Sequence, residues 1–199
     1  MSGDGVNEGR RRFLTAATCV VGGAGAVGAA VPFVASWNPS AKAKAAGAPV
    51  KANLAKIEPG QMVIVEWRGK PVYIVRRSAE TLADLEKMDN LLRDPNSGES
   101  KQPEYVQGLA RTIEGKEEFL ILLGLCTHLG CAPMYRPEVG ATDLGGDEWL
   151  GGFFCPCHGS KFDLAGRVFK GVPAPINLEV PPHRYESDTV ITIGVDQEA

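Results

Sequence analysis

Two short boxes hold six of the eight cysteines and histidines in this 199-residue chain. They are Cys126-Thr127-His128-Leu129-Gly130-Cys131 and Cys155-Pro156-Cys157-His158-Gly159-Ser160. Soft ligands crowded in this way demand a fold in which two loops meet. Thiolate and imidazole bind zinc, copper or iron–sulfur iron. Each box supplies one Cys–His pair, Cys126-x-His128 and Cys155-x-x-His158. Both follow apolar runs read as strands (119–123 and 150–154), and Gly130 and Gly159 permit tight turns. Two loops meeting at a tip can hold a dinuclear cluster. A 2Fe-2S cluster with two Cys on one iron and two His on the other needs this ligand count. A structural zinc site is the plainer alternative, but Cys-x-His is tighter than the usual zinc spacing and leaves two cysteines unused. An all-disulfide secreted module gives the paired histidines no role.

The N-terminal 50 residues are basic and the rest is acidic. Five of the 21 Lys and Arg but only two of the 24 Asp and Glu fall in residues 1–50. The net charge of −3 leaves no broad nucleic-acid footprint. Arg10, Arg11 and Arg12 precede Phe13 and Leu14, and no further charge follows until Lys42. The uncharged stretch 13–37 is 25 residues, roughly 37 Å as a helix, against a hydrocarbon core of roughly 30 Å. Trp37 suits an interfacial anchor at its far end. Arg-Arg-x-Phe-Leu resembles a twin-arginine export signal, a route for folded proteins. The length favours a retained anchor over cleavage at the Ala-x-Ala sites in 41–45. Gly22, Gly23, Gly25 and Gly28 argue against a buried core helix. Cys19 reads as a small apolar residue of the span.

Residues 38–50 (NPSAKAKAAGAPV) read as a tether or hinge, with a short ordered linker as the alternative. Beyond them the pattern is mostly β. Runs 61–67 and 71–76 predict a hairpin. Leu82, Leu85, Met88 and Leu92 predict one helix over 78–92, with Ser78 as N-cap and Asp94-Pro95 ending it. Alternation over 189–195 predicts a closing strand. His183 is expected at the surface or in a turn, and Trp67 and Trp149 in structural roles.

Together the boxes resemble those of the Rieske iron–sulfur proteins of cytochrome bc-type complexes, of proteobacterial type. The resemblance extends to the export signal, the anchor, residues 91–95 with 102–105, and Gly171-Val172-Pro173-Ala174-Pro175. It implies a transmembrane helix (13–37) after a cytoplasmic N-terminus (1–12). It implies a hinge (38–50) and a mainly β Rieske domain (51–199). That domain would be an antiparallel β-sandwich with one helix and a small cluster-binding subdomain at about 124–176.

Carried over residue by residue, Cys126 and Cys155 would ligate the inner iron of one 2Fe-2S cluster. His128 and His158 would ligate the outer iron. Cys131 and Cys157 would form a disulfide, in keeping with an oxidising compartment. Leu129 would shield the cluster, and Gly171, Pro173 and Pro175 would belong to a loop covering its other side. Ser160 would donate to a cluster sulfur. Relatives of highest potential carry Tyr where Phe162 stands, so a lower potential is expected, within the broad Rieske range of about −150 to +300 mV.

The resemblance also implies an oxidoreductase and translocase subunit of the respiratory chain. His158 would accept the hydrogen bond and proton of ubiquinol at cytochrome b. One electron would pass to a c-type cytochrome as the head swings. The partners would be those two cytochromes, ubiquinol and the membrane, in a dimeric complex with the head in the periplasm of a bacterial inner membrane. Rieske oxygenase ferredoxins lack the second cysteine pair. The Rieske subunit of a periplasmic molybdenum oxidase, such as arsenite oxidase, stands as the alternative.

Overall fold

The computed structural model describes residue 5 and residues 7–197. Residues 1–4 and 6 of the expected N-terminal segment, and residues 198 and 199 of the expected domain, lie outside the described residues. The chain divides into two units at residues 45 and 46.

The first unit is built on α1 (Glu8–Ala35), which Asn7 caps by accepting from the Arg10 amide at 3.1 Å. The helix begins earlier than the apolar stretch, so the three arginines lie in its first turns. Its side chains are almost all exposed, and it is long and apolar enough to cross a membrane. Thr15 and Thr18 donate to the carbonyls of Arg11 and Leu14, which settles their hydroxyls within the helix. The segment read as a tether contains a six-residue helix, α2 (Ala41–Ala46), whose first turn Ser40 caps. Its C-terminal residue already belongs to β1 (Val50–Asn53).

In the second unit, β2 (Met62–Trp67) and β3 (Lys70–Arg76) form the expected hairpin. Arg68 and Gly69, at φ 52° and 70°, make the tight turn that right-twisted strands prefer. Then comes α3 (Ala79–Asp84), capped by Ser78. The single helix expected over 78–92 is not formed: residues Glu86–Leu91 are 3-10 helix. Two causes are visible. The apolar residues Leu82, Leu85 and Met88 recur every three positions, the period of a 3-10 helix. The Leu85 carbonyl is also taken by Arg167 Nη2 at 2.6 Å.

The remaining strands are β4 (Phe119–Leu123), β5 (Met134–Arg136), β6 (Gly152–Cys155), β7 (Ser160–Asp163), β8 (His183–Ser187) and β9 (Val190–Ile193). They pair as three antiparallel three-stranded sheets, β1-β9-β8, β2-β3-β4 and β5-β6-β7. The sheet β2-β3-β4 is covered on both faces. Val72, Ile74, Phe119, Ile121 and Leu123 join one core with Ile191 and Ile193, which is the sandwich. Tyr73, Val75, Leu120 and Leu122 join a second core with the β5-β6-β7 subdomain and the helical segment. Double coverage explains why β4 reads Phe-Leu-Ile-Leu-Leu with no polar position. His183 departs from expectation: it opens β8 and is buried, with Nδ1 2.8 Å from the Pro181 carbonyl.

Candidate metal centre

The doubly covered strand β4 delivers the first box. Gly124 follows it because a Cβ there would overlap the ring of Tyr73 from β3. The Tyr73 hydroxyl donates to the Pro133 carbonyl at 2.9 Å, just beyond the box. Within the box the Cys126 amide donates to the Cys131 carbonyl at 2.7 Å. The Gly130 amide donates to the Cys126 carbonyl at 2.8 Å, with Gly130 at φ 80°. The second box is the turn between β6 and β7. Cys155 faces Ser160 across the ladder, and the Gly159 amide closes on the Cys155 carbonyl at 2.9 Å.

These turns bring the donors together. The thiols of Cys126 and Cys155 are neighbours, both buried in one core cluster. The rings of His128 and His158 meet edge to face with centroids 4.8 Å apart. His158 is exposed and His128 half-buried. Because a single residue separates Cys126 from His128, the thiol pair and the imidazole pair belong to one tip. Burial pushes the Cys126 thiol up, while the His128 amide and the Ser160 hydroxyl pull it down. The Tyr73 phenol is raised by burial and by neighbouring Cys155. Two buried thiols and two outward imidazoles form a donor set that fits a mixed Cys/His iron–sulfur cluster.

Cys131 and Cys157 form a disulfide, with Cα atoms 6.7 Å apart. It joins the two boxes, and the sulfurs of Cys131, Cys155 and Cys157 all lie within 4.8 Å of one another. Leu129 stands 71% exposed between the first-box ligands and Gly130. Phe162 is fully buried in the core cluster that contains Cys126 and Cys155. Gly171, Pro173 and Pro175 are exposed, but the Ala174 amide between the prolines donates to Ser160 Oγ at 3.1 Å. Thr127 Oγ1 donates to the Ile176 carbonyl at 2.6 Å, tying the first box to the end of that loop.

Sequence reasoning missed the residues that hold this arrangement. Arg93 reaches three carbonyls of the 172–175 segment. Arg167 is fully buried, paired with buried Asp163 at 2.7 Å and with Asp89 at 2.8 Å. Arg77 and Arg111 are also buried, and their guanidiniums are spent mostly on carbonyls of distant segments. Burial lowers both to about 10, with Asp163 opposing in each case. No spacing rule marks an arginine that captures carbonyls; the only signal was Arg93's place in the 91–95 segment.

Residues 49–182 match the family described as Rieske [2Fe-2S] domain. Residues 1–40 match the one described as ubiquitinol-cytochrome C reductase Fe-S subunit TAT signal. The chain is 59% identical over 197 residues to the ubiquinol-cytochrome c reductase iron-sulfur subunit of Allochromatium vinosum, covering 99% of this chain and 94% of that one. It is 43% identical to the subunit of the same name from Blastochloris viridis, covering 97% of each. Among solved structures it is similar to a hyperthermophilic respiratory Complex III chain at 27% identity, covering 90% of this chain and 98% of that one, with a TM-score of 0.48.

Proposed function

We propose a working cycle for this chain from one premise: it belongs to the Rieske [2Fe-2S] iron–sulfur subunits of ubiquinol-cytochrome c reductase, an oxidoreductase complex. Its cofactor is a Rieske [2Fe-2S] cluster. The named relatives are reductase subunits, which sets aside the molybdenum-oxidase alternative.

Cys126 and Cys155 would hold one iron, and His128 and His158 the other. The observation that carries this assignment is the contact of the two imidazoles at the tip, beside two buried neighbouring thiols. When bound, the cluster supplies one-electron chemistry at a potential raised by imidazole ligation. Exposed His158 accepts the hydrogen bond of a ubiquinol hydroxyl and takes its proton as one electron leaves the quinol. Leu129 keeps water from the tip and offers it an apolar contact. The disulfide holds both ligand loops at one spacing, so the imidazoles stay paired without support from a partner.

The electron goes on to the c-type cytochrome of the complex, with cytochrome b as the other neighbour of the tip. Release of the quinol proton on the outer side makes the complex a translocase. Helix α1 remains as the anchor in the inner membrane, the head stands in the periplasm, and the complex is a dimer. Residues 38–50 act as the hinge. A six-residue helix is marginal in water, so α2 melts and reforms at low cost.

The first test is EPR of the dithionite-reduced full chain with iron and acid-labile sulfide counts. A rhombic signal of low average g and two irons per chain support the ligand set. Zinc in place of iron overturns it. Stiffening residues 38–50 is expected to slow quinol-dependent cytochrome c reduction while leaving the spectrum intact, and unchanged turnover overturns the hinge.

A further inference from the structure

The loop 171–175 lies outside every strand, and two of its residues, Pro173 and Pro175, have no amide hydrogen to donate. Its placement therefore falls to groups reaching in from elsewhere. Arg93 supplies most of them. Nη1 donates to the Ala174 carbonyl at 3.0 Å and the Pro175 carbonyl at 3.4 Å, and Nη2 to the Val172 carbonyl at 3.1 Å. Arg93 is itself fixed. Its amide donates to the Val168 carbonyl at 2.9 Å, next to the antiparallel bridge between Leu92 and Phe169. The planar guanidinium fork thus sets where the loop's backbone lies.

That placement reaches the ligands in two steps. The Ala174 amide donates to Ser160 Oγ at 3.1 Å. Ser160 is fully buried, and its hydroxyl has a single proton. With its oxygen accepting from Ala174, that proton is left for the ligand side, where Ser160 stands across the ladder from Cys155 and neighbours the Cys126 sulfur. A donor on a ligand sulfur favours the more negative, reduced form of the centre.

We propose that Arg93 is a positioning residue of the redox centre: by holding the carbonyls of Val172, Ala174 and Pro175 it fixes the Ala174 amide on Ser160 and so keeps the Ser160 hydroxyl directed at Cys126. Arg93 raises the midpoint potential through this relay, from an exposed position and without touching a ligand. The inference rests on reading Cys126 as a cluster ligand. An arginine that only braced the loop would leave the potential where it is.

The experiment is an EPR-monitored redox titration of the full-length subunit in its membranes. The variants are Arg93→Ala, Arg93→Lys, Ser160→Ala and the double variant Arg93→Ala/Ser160→Ala. In Arg93→Ala the reduced-to-oxidised ratio at a fixed poise is expected to drop several-fold, by no more than in Ser160→Ala. Arg93→Lys keeps the charge but loses the fork, and is expected to follow Arg93→Ala. The double variant is expected to match Ser160→Ala, because the relay is already cut. Should Arg93→Ala fail to hold its cluster, Arg93→Lys and its double variant with Ser160→Ala carry the same comparison. An unshifted midpoint in the arginine variants overturns the proposal. So does a shift in Ala but not Lys, which marks a charge effect, or a shift that persists in full without Ser160. A missing Rieske signal in the unsubstituted chain instead overturns the ligand reading itself.

Discussion

The two faces of the sheet β2-β3-β4 are organised by different physics. Toward β1-β9-β8 the core is aliphatic and aromatic, with Val72, Ile74, Ile121 and Leu123 meeting Ile191 and Ile193. Toward the ligand loops the apolar residues are joined by buried Arg77, Arg111, Asp163, Arg167 and Asn177. The first face is stabilised by area removed from water, roughly 25 cal/mol per Å². The second holds irregular backbone whose carbonyls lie outside strand ladders, and buried carbonyls need donors. Arginine supplies up to five per side chain. The sandwich face needs only matching shapes, while the ligand face needs each loop at a set height. Charged side chains that reach across 50 residues or more of sequence provide that.

Substitutions sharpen or break this contrast. Asp163→Ala is expected to cost the most, about 3–5 kcal/mol, because it takes from buried Arg167 its one fully buried carboxylate, leaving it the part-exposed Asp89, and leaves two amides without an acceptor. Urea unfolding checks it; a cost no larger than that of a sandwich truncation breaks the contrast. Tyr73→Phe, which leaves the Pro133 carbonyl without its donor, is expected to cost about 1–3 kcal/mol in the same assay.

Phe162→Tyr adds a polar group on the ligand face. One hydrogen bond worth ~1.5 kcal/mol more in the reduced form raises the midpoint by about 60 mV. A titration showing no upward shift removes Phe162 from the tuning residues.

The sandwich side also buries polar atoms without partners, Trp67 Nε1, Tyr185 Oη and His183 Nε2, and of these His183 is the one that titrates near neutral pH. Burial holds its pKa below the ordinary histidine value of about 6.5. The unfolded chain therefore takes up the proton first. Stability present above pH ~6.5 falls as pH drops through it, by up to about 1.4 kcal/mol per unit, until the folded-state pKa is reached. His183→Phe is expected to flatten that part of the profile, and parallel curves refute the assignment. The smallest loss, about 0.5–1.5 kcal/mol, is expected for Ile121→Val in the sandwich, read by urea unfolding.

What was legible in the sequence follows the same division. Alternation and continuous apolar runs mark side-chain burial directly, so the hairpin, β4 and the closing strand were placed within a residue or two. The boxes were legible because soft ligands are rare and crowd only where loops converge. Helix 78–92 was misread because apolar spacings of three and four overlap, and the break depends on Arg167, some 80 residues away. His183 was misjudged because a burying neighbour such as Tyr105, which accepts from its amide at 3.0 Å, leaves no mark near position 183. Arg93, Arg111 and Arg167 look like any surface arginine until the carbonyls they meet are known.

Strand β4 belongs to both cores and ends three residues before Cys126. A strand whose side chains are shared in this way is held when either core loosens. Its amide hydrogens that bond to β3 are expected to exchange among the slowest in the domain. The first ligand inherits that slow opening, so metal loss is expected to follow unfolding of the domain rather than fraying of the exposed loop that carries it.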